Sequence, residues 1–318
     1  MYILGFDIGG TKCAVITARW DGKKVRLLKK EKCATEKGVS PYAAIDKLIA
    51  MADGILTEKP DAIGISCGGP LDSEKGIIMS PPNLPGWDNV EIVKRIKEHY
   101  GVPVYLQNDA NACAVAEWKF GAGRGARNMV FLTFGTGLGA GLILNGKLYT
   151  GANDNAGEAG HIRLENTGPV GYGKAGSFEG FCSGGGLAQS GYAKALEMAG
   201  KGEYPAYFKK GMTAADVNAK TIADAADAGD ETAREVYRVC GEYLGKGLSV
   251  IIDLLNPEII VIGSIFARSS NLLWEPAKSV IEKEALGVSA ACCRVVPAEL
   301  GESIGDYAAV AAALLGEE

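Results

Sequence analysis

One pattern occurs twice in this chain of 318 residues: a short apolar strand, a glycine-rich loop, a second strand and a tight hairpin. The first copy reads YILGFD, GGT and KCAVITARW, and its hairpin is Asp21-Gly22. The second copy begins at Met129 and reads MVFLTF, GTGLG and AGLIL, with its hairpin at Asn145-Gly146. Asp-Gly and Asn-Gly are strong signals for two-residue hairpins. A unit repeated about half a chain apart predicts two similar domains that face one another.

Helix and strand signals follow each hairpin. In the first half, SPYAAIDKLIAMADGIL and NVEIVKRIKEHYG have helical spacing, and DAIGISCGGP and VPVYLQ read as strands. In the second half, ETAREVYRVCGEYLGKGLSVIIDLLNP predicts a long buried helix, EIIVIG a strand and IGDYAAVAAALLG a terminal helix. This order predicts an α/β fold of two lobes, with ligands bound in the cleft between them at the carboxyl ends of strands. We place the small N-terminal lobe at residues 1–117 plus 302–318 and the large lobe at residues 118–301.

Charge and composition limit which partners and which cellular location the sequence predicts for this protein. A net charge of −5 argues against a nucleic-acid partner, since such proteins usually carry a basic surface. The eight cysteines include no CxxC pair, and no basic and apolar leader opens the chain, so we expect reduced cysteines and a cytoplasmic protein. The uncharged stretch 128–146 contains five glycines, which predicts strand, turn and strand rather than a membrane span.

The first glycine loop is suited to phosphate, except that the carboxylate of Asp7 lies at its mouth. Gly9 and Gly10 allow the backbone to approach a phosphate closely. Thr11 and Lys12 can donate hydrogen bonds to it. Carboxylate and phosphate repel each other, so we expect Mg²⁺ between them, bound to Asp7 through water. The alternative is a plain hairpin turn with Asp7 as a side-chain cap.

The second copy contains a matching loop, formed by Gly135, Thr136, Gly137 and Gly139. Two loops of this size that face a cleft predict one polyphosphate held from both sides. Each loop alone is equally typical of a hairpin turn, so the pairing is what favours phosphate binding.

Asp109 follows a buried strand and opens the predicted helix ANACAVAEWKFG. One interpretation is a helix N-cap, the commoner role of an aspartate at this place. The other is a general base that takes a proton from a substrate hydroxyl as it attacks a γ-phosphoryl group, with Asn108 bonded to neighbouring hydroxyls. Glu158 and His161 in GEAGHIRLE, with Glu179 beyond them, are by themselves more typical of a surface than of a site.

Six segments together resemble one known family: FDIGGTK, GGP, PPNLPGW, QNDANACAVAE, FGTGLGAG and GEAGH, in this order and at suitable intervals. The chain is similar over its whole length to the ROK family of repressors and kinases, within the actin-like ATPase and hexokinase superfamily. The resemblance implies a two-lobed actin-like ATPase (ribonuclease H-like) fold of the α/β class, with the active site in the interdomain cleft. It also implies ATP- and Mg²⁺-dependent phosphorylation of a hexose or N-acetylhexosamine, most commonly glucose at its 6-hydroxyl.

The resemblance also assigns roles to residues of this chain. Asp109 resembles the catalytic base. The residues that resemble parts of the sugar pocket are Gly69, Asn83, Asn108, Glu158, His161 and Glu179. Those that resemble the nucleotide site are Asp7, Gly9, Gly10, Thr11 and Lys12 in the first loop, Gly135, Thr136 and Gly137 in the second, and Gly263 at the start of the adenosine-side loop.

The chain departs from the family where most members have a CxCGxxGCxE zinc motif after the histidine. Residues 168–180 read GPVGYGKAGSFEG, with Tyr172 and Ser177 where two cysteines would be, and the one nearby cysteine is wrongly placed. One cysteine cannot complete a four-coordinate site, so we predict no structural zinc. We expect hydrogen bonds and aromatic packing by Tyr172 and Phe178 to orient His161 instead.

A second departure is GSIFARS, residues 263–269, which stands where relatives usually have a triple-glycine loop. Bulk at Ile265 and Phe266 is expected to change how the nucleoside is held. ATP remains the predicted donor.

Several other functions stay open on the sequence. N-acetylmannosamine kinase, fructokinase, allokinase and a non-catalytic sugar sensor are alternatives within the family, and an actin-like ATPase with a protein client is a more distant one. A transcription factor of this family would carry a helix-turn-helix domain before the first loop, whereas the sequence opens on the strand of that loop. A mere binder needs neither Mg²⁺ nor a base, so Asp7 and Asp109 together favour a kinase. Relatives are often dimers, which predicts a homodimer.

Chelation tests the zinc prediction. Because no structural zinc is expected, EDTA should leave both the thermal unfolding midpoint and the far-UV circular dichroism spectrum unchanged. Loss of the fold in EDTA, restored by added Zn²⁺, would contradict the prediction.

Overall fold

A computed structural model describes residues 1–317. Contacts along the chain group it into two compact units. The first unit comprises Met1–Arg127, Gly141–Ala156 and the C-terminal segment from Glu299, and the second comprises Asn128–Ala140 and Gly157–Ala298. The lobe boundaries that the sequence suggested, after residues 117 and 301, stay predictions.

Strands and helices alternate along the chain. In the first part they are β1 Tyr2–Ile8, β2 Lys12–Trp20, β3 Val25–Ala34, α1 Pro41–Ile55, β4 Ala62–Cys67, β5 Leu71–Asp72, β6 Ile77–Ile78, α2 Ile92–Tyr100, β7 Val104–Asn108 and α3 Asp109–Phe120. The remaining elements are β8 Met129–Phe134, β9 Leu138–Leu144, β10 Lys147–Tyr149, β11 Val170–Gly171, β12 Lys174–Ala175, α4 Phe178–Phe181, α5 Gly184–Ala199, α6 Ala219–Asp227, α7 Glu231–Leu255, β13 Ile259–Ile262, α8 Ile265–Glu284, α9 Gly287–Ala290, β14 Arg294–Pro297 and α10 Ile304–Ala312. Short 3₁₀ turns cover Ala159–His161, Ala214–Asp216, Gly301–Ser303 and Ala313–Glu317.

The sheet of the first unit has the strand order β3-β2-β1-β4-β7. β1, β2 and β3 are antiparallel neighbours, whereas β1, β4 and β7 run parallel. In this register Asp7 is opposite Ser66, and Cys67 is opposite Asn108. The carboxyl ends of the three parallel strands therefore bring Asp7 and Asn108 to one edge of the sheet, where ligands bind in folds of this kind.

Helix α10 packs on β1 and β4 with almost no side chain between the backbones. A Cβ on Gly64 would overlap the carbonyl oxygen of Ala309, and a Cβ on Gly5 would lie 3.0 Å from the Ala309 Cβ. Because successive side chains of a strand point to opposite faces, Leu4 and Phe6 point to the other face, where α1 and α2 complete the core. Helices thus cover both faces of this sheet.

The second five-stranded sheet has the order β10-β9-β8-β13-β14, in which β8, β13 and β14 run parallel. The long helix that the sequence predicts is α7, which runs for 25 residues from an Asp230 cap to Asn256 in the left-handed conformation. α8 packs closely on α7 where glycine removes a side chain, since a Cβ on Gly245 would lie 2.5 Å from the carbonyl oxygen of Ala277.

The predicted strands and helices of both halves are observed, and the stretch 128–146 forms β8 and β9 as expected. The sequence analysis did not find α5 or α6, and its treatment of GSIFARS as a loop is wrong. Two residues of this segment depart from helical geometry, Ser264 with φ of +57° and Ser269 with φ of −129°, and α8 begins at Ile265, where Ile265 and Phe266 are buried. Over residues 1–317, no helix combines the length and the apolar character needed to cross a membrane.

Removal of one buried carboxylate tests the packing of the first unit. Glu117 of α3 is fully buried, and its carboxylate accepts the N–H groups of Ala122 at 2.8 Å and of Leu300 at 2.9 Å. Glu117→Ala leaves these donors unpaired, which costs about 1–3 kcal/mol for each. We expect the thermal midpoint to fall by at least about 5 °C.

Glu117→Gln keeps an acceptor oxygen, so its thermal midpoint should fall less than that of Glu117→Ala. The exposed Glu98 on α2 provides the control, since Glu98→Ala removes a carboxylate without unpairing a buried donor. A Glu117→Ala protein as stable as the wild type would show that the carboxylate does not hold these segments.

Candidate active site

The first glycine loop is fixed by hydrogen bonds from its own turn and from Thr35. The Gly9 N–H donates to the Lys12 carbonyl at 3.1 Å, and the Thr35 hydroxyl donates to the Gly9 carbonyl at 2.6 Å. Gly10 is required at its position because a Cβ there would overlap the carbonyl oxygen of Asn83. The structure therefore brings Asn83, predicted for the sugar pocket, against the predicted phosphate loop.

Asp7 is surrounded by other carboxylates. Burial, followed by the nearby charges of Asp306 and Asp109, raises the pKa of Asp7 to about 6. Lys30 and Lys12 oppose the shift, and Lys30 is itself paired with Asp306 at 2.6 Å. An excess of negative charge beside a phosphate loop fits a bound cation. A single carboxylate such as that of Asp7 is the kind of ligand with which proteins bind Mg²⁺, water and phosphate supplying the rest. Among residues 1–317, no cluster of three or more His, Cys, Asp or Glu side chains is placed to hold a metal.

The cap of helix α3 is Asn108, so the interpretation of Asp109 as the N-cap is wrong. The Asn108 Oδ1 accepts the Ala110 N–H at 2.9 Å, and Asp109 is already the first residue of the helix. The Asp109 side chain is accessible to solvent, yet enough protein surrounds it that desolvation raises its pKa. The Ala110 N–H donates a hydrogen bond to the Asp109 Oδ1 at 2.8 Å, and this bond lowers the pKa of Asp109. The raised pKa makes this carboxylate a stronger proton acceptor than an ordinary aspartate.

Two buried amides support this turn, and the sequence analysis missed them. The Gln107 Oε1 accepts the Asn108 N–H at 2.8 Å and the Asn111 Nδ2 at 3.1 Å. Gln107 and Asn111 are almost fully buried, and the Asn111 Oδ1 has no hydrogen-bond partner among the described residues. The segment QNDAN could have indicated these two amides, since several polar residues in a row are unusual at the end of a buried strand.

Gly69 lies beside the same cap. A Cβ on Gly69 would be 2.9 Å from the Asn108 Nδ2, and one on Gly68 would be 3.1 Å from the Asn83 Nδ2. In the first unit the structure thus brings Gly69, Asn83, Asn108 and Asp109 together, as the resemblance implied.

The second glycine loop has a different set of supports. The Gly135 N–H donates to the Gly137 carbonyl at 3.0 Å, and the Gly184 N–H at the start of α5 donates to the Gly135 carbonyl at 2.8 Å. The Glu179 Oε2 accepts the Leu138 N–H at 2.9 Å. Glu179, which was assigned to the sugar pocket, therefore contacts the predicted phosphate loop directly.

Glu158 and His161 lie at the two ends of one 3₁₀ turn, and both are exposed. The His161 ring meets the edge of Tyr172, with centroids 6.2 Å apart, and the Lys174 Nζ donates to the His161 carbonyl at 2.6 Å. The predicted packing by Tyr172 is thus observed. The predicted packing by Phe178 is wrong, because that ring is fully buried against Gly247 of α7.

The residues at the expected zinc positions bond to other groups. The Ser177 Oγ caps α4 by accepting the Gly180 N–H at 3.0 Å. The Cys182 Sγ is fully buried and donates to the Cys240 carbonyl at 3.4 Å. This donor set does not fit a zinc ion, and the absence of structural zinc stays a prediction.

A cavity of about 530 Å³ lies beside the second loop. Its wall includes the N-terminus of α5, the Asn218 cap of α6 and the start of α8. Gly263 itself packs against Phe131, since a Cβ on Gly263 would lie 3.2 Å from the Phe131 ring. The neighbouring Ser264 lines the cavity. Ile265 lines the cavity too, whereas Phe266 faces a separate groove. Arg268 and Ser269, from the segment GSIFARS, also line the cavity. The lining residues that no sequence motif indicated are Gly184, Gly185, Asn218, Ala219, Lys220, Ala223, Asp224, Asp227 and Tyr237.

The raised pKa of Asp7 predicts that replacing this aspartate with a neutral residue stabilises the protein, by an amount that depends on pH. The ordinary pKa is 3.8 and the folded value is about 6, so the folded state holds more protons than the unfolded state between these values. Stability therefore falls as pH rises through this window. We expect Asp7→Asn to raise the thermal midpoint of the ligand-free protein near neutral pH by about 2–5 °C.

The gain should vanish below about pH 4, where both states carry the proton. Asp46→Asn, at an exposed position on α1, is the control for loss of a carboxylate. A lower midpoint for Asp7→Asn near neutral pH would contradict the expectation.

Comparison with known proteins identifies the family of this chain. A model of the ROK family matches residues 3–316. The glucokinase of Thermotoga maritima is 30% identical over 310 residues, which cover 95% of this chain and 94% of that protein. The xylose repressor of Bacillus subtilis is 27% identical, over 83% of this chain and 65% of the repressor.

A solved structure gives the same relationship. The ROK family glucokinase of Streptomyces griseus, in complex with glucose and AMPPNP, matches with a TM-score of 0.77 and 28% identity over 99% of each chain. The predicted actin-like ATPase fold is thereby confirmed. Since the family model extends over nearly every residue, this chain belongs to the ROK family.

Proposed function

We propose that this chain is an ATP- and Mg²⁺-dependent sugar kinase that phosphorylates a hexose hydroxyl, with the 6-hydroxyl of glucose as its foremost acceptor. The observation that carries the proposal is the state of Asp109. Its carboxylate does not cap α3, is accessible to solvent and has a raised pKa. Those are the properties that a general base for an alcohol requires.

The reaction follows from that base. A sugar hydroxyl transfers its proton to the Asp109 carboxylate while its oxygen forms a bond to the γ-phosphorus. The bond from that phosphorus to the bridging oxygen breaks, and ADP leaves with the electron pair. A raised pKa strengthens the base, and the Asn108 cap fixes its direction because the backbone at residue 109 is held by the helix start.

Orientation of the sugar is the task of the polar residues around the two turns. A sugar presents many hydroxyls, so its site needs many donors and acceptors. In the first unit we assign Asn83, Asn108 and the backbone at Gly69 to this task, and in the second unit Glu158, His161 and Glu179. Their amide, carboxylate and imidazole groups match hydroxyls as partners.

Phosphate binding is assigned to the two glycine loops. Gly9 and Gly10 let the backbone approach a phosphate closely, and Thr11 and Lys12 can donate hydrogen bonds to it. In the second loop, Thr136 and Gly137 are assigned to phosphate. Gly135 and Thr136 line the cavity of about 530 Å³, which we assign to the nucleoside of ATP. Asp7 would hold Mg²⁺ through water, and the ion would neutralise phosphate charge when bound.

Measurement of ADP release with ATP and Mg²⁺ tests the proposal. The panel of acceptors is glucose, mannose, fructose, allose, N-acetylglucosamine and N-acetylmannosamine. We expect glucose to have the highest kcat/KM. Asp109→Asn should lower kcat by about 10²–10⁴, because the amide cannot accept the proton.

Asp46→Asn, on the surface of the same unit, is the matched control and should retain wild-type turnover. Highest turnover with N-acetylmannosamine, fructose or allose would keep the kinase and change the acceptor. No turnover with any sugar, in folded protein that still binds one, would favour a sensor related in function to the xylose repressor.

A further inference from the structure

Glu179 occupies a slot made by three glycines from three segments of the second unit. A Cβ on Gly137 would lie 2.6 Å from the Glu179 Oε2. A Cβ on Gly160 or on Gly171 would lie 3.2 Å or 2.8 Å from the Glu179 Cβ. The glycines belong to the second loop, to the turn of residues 158–161 and to β11. One side chain thus packs tightly against all three segments.

The carboxylate of Glu179 holds the second loop directly. Its Oε2 accepts the Leu138 N–H at 2.9 Å, one residue after Gly137. A hydrogen bond to an ionised acceptor is about twice as strong as one between neutral groups. Loss of this bond would therefore loosen the loop where it meets the nucleotide cavity.

The backbone of Glu179 is fixed to the turn that carries His161. The Phe178 N–H donates to the Ile162 carbonyl at 2.8 Å, and Ser177 caps the short helix. The Gly160 backbone packs on the Glu179 side chain and on the Leu138 carbonyl. Close-packed groups transmit displacement rather than absorb it, so movement of this turn moves Glu179 and the loop with it.

We propose that Glu179, in addition to the place in the sugar pocket assigned to it above, positions the second phosphate loop by coupling it to the turn of residues 158–161, so that a bound sugar raises the affinity for nucleotide. The identity of the two ligands rests on the proposed function. By linkage, bound nucleotide raises the affinity for sugar by the same factor.

Binding of AMPPNP with and without glucose, followed by calorimetry, tests the coupling, because AMPPNP does not transfer its terminal group. We expect glucose to lower the wild-type Kd for AMPPNP by about fivefold or more. Glu179→Ala should weaken AMPPNP binding and bring the coupling factor close to one. Glu179→Gln keeps an oxygen that can accept the Leu138 N–H and should restore AMPPNP affinity in the absence of sugar to within about twofold.

Glu203→Ala, at an exposed position of the same unit, is the control and should keep the wild-type coupling factor. A Glu179→Ala protein that retains the wild-type coupling factor would overturn the inference. So would a wild type in which glucose leaves the AMPPNP Kd unchanged.

Amide hydrogen exchange at Leu138 separates this inference from the proposed function. In ligand-free protein, Glu179→Ala should speed this exchange by about tenfold or more, and Glu179→Gln should speed it less. Unchanged exchange in Glu179→Ala would overturn the coupling even in an active kinase. If the wild type phosphorylates no sugar, yet AMPPNP and glucose strengthen each other's binding through Glu179, the proposed function fails and the coupling stands. If the wild type binds neither ligand, both are overturned.

Discussion

The contact on which the first unit depends is the packing of the last helix on the first strand. Gly5 and Gly64 let α10 approach β1 and β4 until backbone meets backbone at Ala309. That approach brings α10 against Asp7, since a Cβ on Gly305 would lie 3.0 Å from the Asp7 Oδ2. It also seats α10 against α3, the helix that begins at the proposed base. The predicted phosphate loop, the proposed metal ligand Asp7 and the proposed base Asp109 are therefore fixed relative to one another by one glycine-lined contact.

The framework was predictable because local patterns encode it. Hairpin dipeptides, apolar runs and helical spacing predicted the strands and helices around both loops, and Asp109 was proposed as a base because it directly follows a strand. Contacts between distant segments were not predictable, since no local pattern records them. The bond from Leu138 to Glu179 and the support of Asn108 by Gln107 are of this kind. The start of α8 was also not predictable, because burial of Ile265 favours a helix where the family resemblance suggested a loop.

Function and stability oppose each other at the edge of the first sheet. Asp7, Asp109 and Asp306 lie close enough that two of these carboxylates raise the pKa of the third. The ligand-free protein therefore carries negative charge that it cannot solvate fully. A cation at Asp7 and a hydroxyl proton at Asp109 would both relieve this repulsion. Ligands that bind the folded state alone should accordingly stabilise it by mass action.

The slot around Glu179 has a consequence for how this chain tolerates change. The three glycines differ in what confines them. A Cβ on Gly137 would meet the Glu179 carboxylate, whereas a Cβ on Gly160 or Gly171 would first meet backbone, at the Leu138 carbonyl oxygen or the Gly180 nitrogen. A smaller residue at position 179 would therefore make room for a methyl group at Gly137 but not at the other two. Double variants at residues 137 and 179 should accordingly deviate from the sum of the single ones.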